Sequence, residues 1–263
     1  MKRECLTIIG TAHVSQNSVK EVKDAIYQQK PKVVAIEFDR GRYERLMKEQ
    51  AGIEEEDEEI SIINIIRENK VGLFVASGIL TYIQSKIGED VDVRPGSEMI
   101  GAIEAANNVG AKIALIDRDI NITLQRALNE MTLWEKLKFM FSAVTSLFAS
   151  DDDLQDIEEL KEQDILEEVM GYFKEVSPNA YKVLVKERDA YLANSILSIP
   201  EDHVIAVVGA GHKEGMIKYL DHPEEIPPLN ELTTTEKKGG TPWIKIILAA
   251  IPISFVVIFF WLF

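Results

Sequence analysis

Apolar residues cluster into four short runs, at 5–9, 32–38, 112–116 and 203–208. Each is rich in Val, Ile or Leu, as strands buried on both faces of a parallel sheet are. The stretches between them alternate apolar and polar positions with the spacing of helices. The predicted helices are 16–29, 40–50, 61–87, 98–108, 123–129, 133–149, 151–174, 178–199 and 213–220. Ser15 and Ser97 stand where N-caps belong, Gly110 stands where a helix stops, and Ser177-Pro178 offers a cap followed by proline at the first helical position. Strand and helix alternate, so the expected fold is α/β: a mostly parallel sheet flanked by helices, with a helical insertion at about 120–200.

The C-terminus departs from this pattern. Residues 243–263 are almost wholly apolar, interrupted by Lys245, with Trp243 and Trp261 towards the two ends. Such a length is enough to span a bilayer. The expected organisation is therefore an α/β domain at 1–220, a linker at 221–241 and a transmembrane segment at 242–263. Lys237, Lys238 and Lys245 precede the span, which puts the domain on the cytoplasmic side of the cell membrane. The apolar helix at 133–149 carries two lysines, and reads either as a core or homodimer contact or as a helix on the membrane surface.

Composition narrows the function. The net charge of −15 argues against a nucleic-acid partner. The acidic runs 54–59 and 151–153 read as solvated loop or helix start. Cys5 is the only cysteine, so there is no intrachain disulfide framework; it reads as a small buried hydrophobe. The N-terminus leads directly into a strand, without the pattern of a signal peptide.

Ligands of open parallel sheets bind beyond the carboxyl ends of the strands. Each predicted strand carries a chemically useful side chain there: His13 after the first, Glu37 and Asp39 after the second, Asp117, Arg118 and Asp119 after the third, and His212 after the fourth. Taken alone, a strand-end Asp is more often a helix cap and a lone His more often a satisfied surface or core residue; four in register point to a shared site. Both histidines follow a glycine-bearing turn at a helix start, where the macrodipole disfavours imidazolium. Two neutral imidazoles with carboxylates form a mixed N/O set suited to Zn, Mn, Co or Fe. His203 and His222 read as a strand start and a turn. Arg188 falls on the apolar stripe of Tyr181, Val185, Leu192 and Ile196. A charge there needs a partner, and reads either as a structural salt bridge or as an electrophile for a substrate oxygen.

The segments Gly10-Thr-Ala-His13, Ala35-Ile-Glu37, Glu187-Arg188-Asp189 and Gly209-Ala-Gly-His212 resemble the TraB/PrgY pheromone-shutdown family. That family is related to the Tiki metalloproteases and more distantly to erythromycin-esterase and ChaN-like proteins, and its archaeal-type members also end in membrane spans. The resemblance covers about residues 5–220. It implies a divalent-metal-dependent, peptidase-like site, with His13 and His212 as the paired histidines, Glu37 as the acid and Arg188 as the arginine. The chain departs at Asp189, where many relatives carry Asn.

The expected function is thus a membrane-anchored metal-dependent hydrolase acting on peptides. Mn, Co or Zn would be held by His13, His212, Glu37 and Asp117. Glu37, Arg188 and Arg118 would do the chemistry, and Asp39 and Glu187 would face the substrate. There is no H-E-x-x-H motif of an ordinary zincin. The alternatives are a non-catalytic peptide- or partner-binding regulator at the membrane, and a metal-independent hydrolase with histidine as base.

Overall fold

The structure is a computed structural model of the 263-residue chain, and describes residues 5–11, 16–52, 96–136, 138, 171 and 174–235. Within these, β1 (Cys5–Thr11), α1 (Gln16–Gln29), β2 (Val33–Ile36), α2 (Arg40–Gln50), α3 (Ser97–Val109), β3 (Lys112–Leu115) and α4 (Ile120–Glu130) follow in order. Then come α5 (Pro178–Tyr181), a π-helical stretch (Lys182–Glu187), α6 (Arg188–Ser198), β4 (His203–Gly209), α7 (Ala210–Asp221) and α8 (Leu229–Thr233).

The four strands form one parallel sheet in the order β1-β4-β2-β3. The last strand in sequence lies in the middle, against both β1 and β2. That explains the continuous apolar run of 204–208: these residues are buried on both faces. Side chains alternate across the sheet. Val34, Ile36, Ile205 and Val207 meet Val22 and Ile26 of α1 and Met99, Ala102, Ala105 and Ala106 of α3 on one face. On the other, Val33, Ala35, Val204, Ala206 and Val208 meet Leu192 and Ile196 of α6 and Met216 of α7. Together these two layers fix the carboxyl ends of β1, β2, β3 and β4 along one edge.

The predicted elements that fall on described residues recur, most with shifted ends, while the helix expected at 151–174 lies almost wholly outside them. Helix α3 stops at Gly110, whose left-handed conformation (φ 73°) glycine adopts without strain. Its N-cap is Gly96 rather than Ser97, which is the first helical residue. Pro178 occupies the start of α5 as expected, but the helix is not uniform, because the π-helical stretch separates α5 from α6. Helix α7 begins at Ala210, so His212 lies inside its first turn. Cys5 is exposed on an edge strand instead of buried.

The transmembrane expectation is corrected. No helix among the described residues is long and apolar enough to cross a membrane. The stretch 242–263 lies outside the described residues, and the architecture is an α/β domain with a four-stranded parallel sheet flanked by helices. The acidic runs 54–59 and 151–153, the predicted helix 61–87, Ser15 and most of 133–149 also lie outside the described residues.

The first residues of the 133–149 helix are described and show how it starts. Thr132 and Glu135 form a reciprocal cap: the Glu135 N–H donates to Thr132 Oγ1 at 3.2 Å, and the Thr132 N–H donates to Glu135 Oε2 at 2.6 Å. The backbone and side-chain N–H groups of Asn179 add two bonds of 2.9 Å to the same carboxylate, tying α5 to this helix start. Burial would raise the Glu135 carboxyl; the Asn179 and Thr132 hydrogen bonds outweigh it and hold the group below its ordinary value. A depressed carboxyl stabilises the fold above its unfolded pKa, and that gain is lost as pH falls through the folded one. Glu135→Gln should therefore destabilise the protein by about 1–2 kcal/mol at pH 7. Urea titrations of the two proteins should converge as the medium is taken below the ordinary carboxyl range.

Candidate functional site

Three consecutive residues, Glu187, Arg188 and Asp189, straddle the junction of the π-helical stretch with α6. In a regular helix successive side chains point about 100° apart, and here each finds a different partner. Glu187 faces α4, where Arg126 grips it with bonds of 2.9 and 3.0 Å and Arg118 approaches at 3.4 Å. Arg188 reaches the strand ends. Asp189 faces α7.

The Arg188 guanidinium is the hub. Its Nε donates to Asp117 Oδ1 at 2.9 Å and its Nη2 to Asp117 Oδ2 at 2.6 Å, a two-pronged pair beyond the end of β3. Nη2 also donates to Glu37 Oε1 at 2.5 Å, beyond the end of β2. The other Glu37 oxygen accepts the backbone N–H of Gly209 at 2.6 Å, which joins the ends of β2 and β4. Burial would lower the Arg188 pKa, but Glu37 and Asp117 overcome this and raise it, so its charge is permanent.

The remaining contact of the hub defines His212. Arg188 Nη1 lies 3.2 Å from His212 Nε2. A guanidinium has no acceptor, so Nε2 must offer its lone pair and the ring proton belongs on Nδ1. Nδ1 lies 2.6 Å from Asp189 Oδ1, to which it donates. Burial pushes the Asp189 carboxyl up, against the opposing pull of His212 and Arg188. The imidazole is thus held in one tautomer between a carboxylate and a cation. Of the cluster, Arg188 and His212 keep the most exposed side chains, at 21% and 13%, whereas Glu37 and Asp117 are at 4% and 7%. The two carboxylates lie behind the guanidinium and the imidazole.

Glu37, Asp117, Arg188 and His212 are therefore brought together at the sheet edge. Other candidates sit elsewhere. Asp39 caps α2, accepting the Arg42 N–H at 3.0 Å, and Asp119 caps α4, accepting the Asn121 N–H at 2.7 Å. Arg118 is fully buried. It donates to Thr123 Oγ1 at 3.0 Å, to the Leu232 carbonyl at 2.6 Å and to the Val183 carbonyl at 3.3 Å. With Arg126, which donates to the Thr234 carbonyl and pairs with Glu187, it straps the segment around α8 to α4. Arg118 and Glu187 thus act as a structural clasp, one residue away from the cluster on each side. Arg118→Ala should cost about 3–5 kcal/mol, the range for breaking a buried pair. It should also abolish amide-exchange protection at 229–235. His13 lies outside the described residues. His222 pairs with Glu224 at 3.3 Å on the surface.

Asp189 is the residue whose role the sequence did not reveal. It stands next to Arg188, but nothing in the local pattern says that α7 brings His212 to it.

One member of the proposed metal set, His13, lies outside the described residues, so the full set is not seen together. Among the described residues, no three His, Cys, Asp or Glu side chains are grouped to hold one. Both oxygens of Asp117, one oxygen of Glu37 and Nε2 of His212 are engaged by the Arg188 guanidinium, and the other Glu37 oxygen by the Gly209 N–H. The cation these donors converge on is part of the chain.

Comparison with known proteins gives the ancestry. The sequence model of the TraB/PrgY/gumN family matches residues 2–225. An uncharacterised protein of Methanocaldococcus jannaschii is 40% identical over 224 residues, 82% of this chain and 54% of the relative. A TraB domain-containing protein of Bos taurus is 30% identical over 233 residues, 80% of this chain and 61% of the relative, and one of Homo sapiens is 28% identical over the same shares. The chain spans little more than half the length of these relatives. A match over residues 2–225, from β1 to beyond α7, takes in every residue of the cluster, and the chain belongs to the TraB/PrgY/gumN family.

Proposed function

We propose that the sheet edge is a hydrolytic site for a carbonyl substrate, a peptide or an ester, in which His212 is the base and Arg188 the electrophile. The observation that carries this reading is the placement of His212, with Asp189 on Nδ1 and Arg188 on Nε2. A neutral imidazole backed by a carboxylate is equipped to take a proton, and a neighbouring guanidinium is equipped to hold the negative charge that forms. In the ordering of the alternatives, the histidine-based hydrolase without metal moves ahead of the metallopeptidase, because Arg188 takes up the donors an ion would need.

The 3.2 Å bond between Arg188 Nη1 and His212 Nε2 is the longest hydrogen bond of the cluster, and it is the one a substrate would replace. Nη1 turns to the substrate carbonyl oxygen, which frees the Nε2 lone pair for a water molecule. The water oxygen attacks the carbonyl carbon as its proton passes to Nε2. The resulting oxyanion is held by Arg188, and Asp189 steadies the imidazolium through Nδ1–H. When the oxyanion collapses, the bond to the leaving amine or alcohol breaks. That group takes the proton from Nε2, which restores the neutral ring. Glu37 and Asp117 keep the guanidinium in place throughout.

The test is incubation of the full chain with a panel of peptides and activated esters, with products identified by mass spectrometry. New carboxyl-terminated fragments, dependent on His212, are expected. A protein that binds members of the panel and cleaves none would instead be a binding module.

A further inference from the structure

The glycine at 215 has no place in the chemistry just described, yet it lies one turn beyond His212 on α7 and so on the same face. It stands where α7 crosses α6. A Cβ at this position would fall 2.0 Å from Asp189 Oδ2, 2.6 Å from Cγ and 3.2 Å from Cβ. The first two are impossible separations for non-bonded atoms, and the third leaves little slack. The space left by the missing side chain is the space the Asp189 carboxylate occupies.

We propose that Gly215 is a positioning residue for His212: it keeps open the slot from which Asp189 holds the imidazole in a single tautomer. The alternatives open to a larger residue are few. Asp189 is buried at 4% exposure, and its neighbours Ala190, Leu192 and Ala193 on α6 are at 0%, as is Met216 beside Gly215. Close packing of this kind resists a rigid shift of either helix. The short aspartate side chain must rotate instead. Rotation takes Oδ1 away from Nδ1, since the two oxygens move together. Nothing else among the described contacts accepts from Nδ1, so the ring loses its anchor there and is left with only the 3.2 Å contact from Arg188 to hold Nε2 as the acceptor. The Arg188 ion pairs with Glu37 and Asp117 lie on the strand side and do not depend on this slot.

The inference rests on reading His212 as the base, but its direct readout does not. Side-chain nitrogen NMR of the full chain, with ¹⁵N-labelled histidine, distinguishes the Nδ1–H ring from a mixture of tautomers. The wild type should show His212 as Nδ1–H, and Gly215→Ala should show a mixture. Turnover should fall about 100-fold, the scale of an ångström-sized misplacement. The variant Asp189→Ala should show the same mixture, and adding Gly215→Ala to it should change nothing further, because the slot is then empty. A Gly215→Ala protein that retains pure Nδ1–H overturns the proposal. If Gly215→Ala fails to fold while Asp189→Ala/Gly215→Ala folds, the carboxylate is the source of the clash and the proposal stands; if both fail, the glycine serves helix packing alone and the proposal falls. A wild type without turnover whose tautomer still responds to Gly215→Ala would contradict the hydrolase reading and leave the positioning role intact.

Discussion

Replacing His212 by glutamine should lower turnover about 10²–10⁴-fold, the usual worth of a positioned general base. The melting temperature should change little. A glutamine amide still provides an N–H for the Asp189 carboxylate, which is bonded to His212 at 2.6 Å in the wild type. His212→Ala should lose the same activity and some stability as well, because it leaves the buried Asp189 carboxylate without its donor. The cost of such an orphan is about 1–3 kcal/mol. Kinetics and thermal melts of the three proteins separate the two effects. Similar rates for wild type and His212→Gln would remove His212 from the chemistry.

Arg188→Ala should have the largest combined effect. Glu37 and Asp117 are nearly inaccessible; Asp117 directs both oxygens at this guanidinium and Glu37 directs one. Removing one member of a buried ion cluster typically costs 3–5 kcal/mol, and the 21% exposure of the Arg188 side chain puts the expected loss at the lower end, about 3 kcal/mol. Turnover should disappear with the electrophile, by about 10²–10³-fold. Arg188→Lys should keep part of the stability and little of the activity, because an ammonium is a point charge and cannot address Asp117 with two parallel bonds while reaching His212. A triple variant, Glu37→Gln/Asp117→Asn/Arg188→Met, separates the roles. It should recover stability, having no charge left to strand, and it should remain inactive. A triple variant that is both stable and active would show Arg188 to be a structural cation only. The two readings the sequence offers for this arginine, salt bridge and electrophile, are not exclusive here: the ion pairs to Glu37 and Asp117 are what aim its remaining N–H groups.

Much of the frame was readable from the chain because its signals are local. Strands β2 and β4 are continuous apolar runs since both faces of each are covered. Helix α1 has the predicted bounds, 16–29, and Gly110 ends α3 because its φ suits glycine. Glu37 and Asp117 could be picked out because they stand directly beyond strands, and His212 because it follows the Gly209-Ala-Gly211 turn. The rest depends on long-range packing. A carboxylate that caps a helix and one that serves a site look alike in sequence, and only the structure shows that Asp39 caps α2. Arg118 and Asp117 are neighbours, and only the tertiary fold sends one to the Leu232 carbonyl and the other to Arg188. Asp189 meets His212 only because the π-helical stretch hands over to α6 just before it and α7 crosses at Gly215. The Thr132-x-x-Glu135 cap was written in the chain and needed only to be read. The apolar run at 243–263 has the composition of a membrane span, but no helix among the described residues supports one.

On the proposed reading, the cation of this sheet edge is Arg188 and His212 works as a base without an ion. The most direct measurement is turnover of the purified full chain after exhaustive chelation, with metal content determined on the same sample, followed by titration with Mn, Co and Zn. Hydrolysis should survive chelation, and no added ion should raise it more than about twofold. Activity that vanishes on chelation and returns with one equivalent of a divalent ion, in wild type and not in His212→Gln, would contradict this reading.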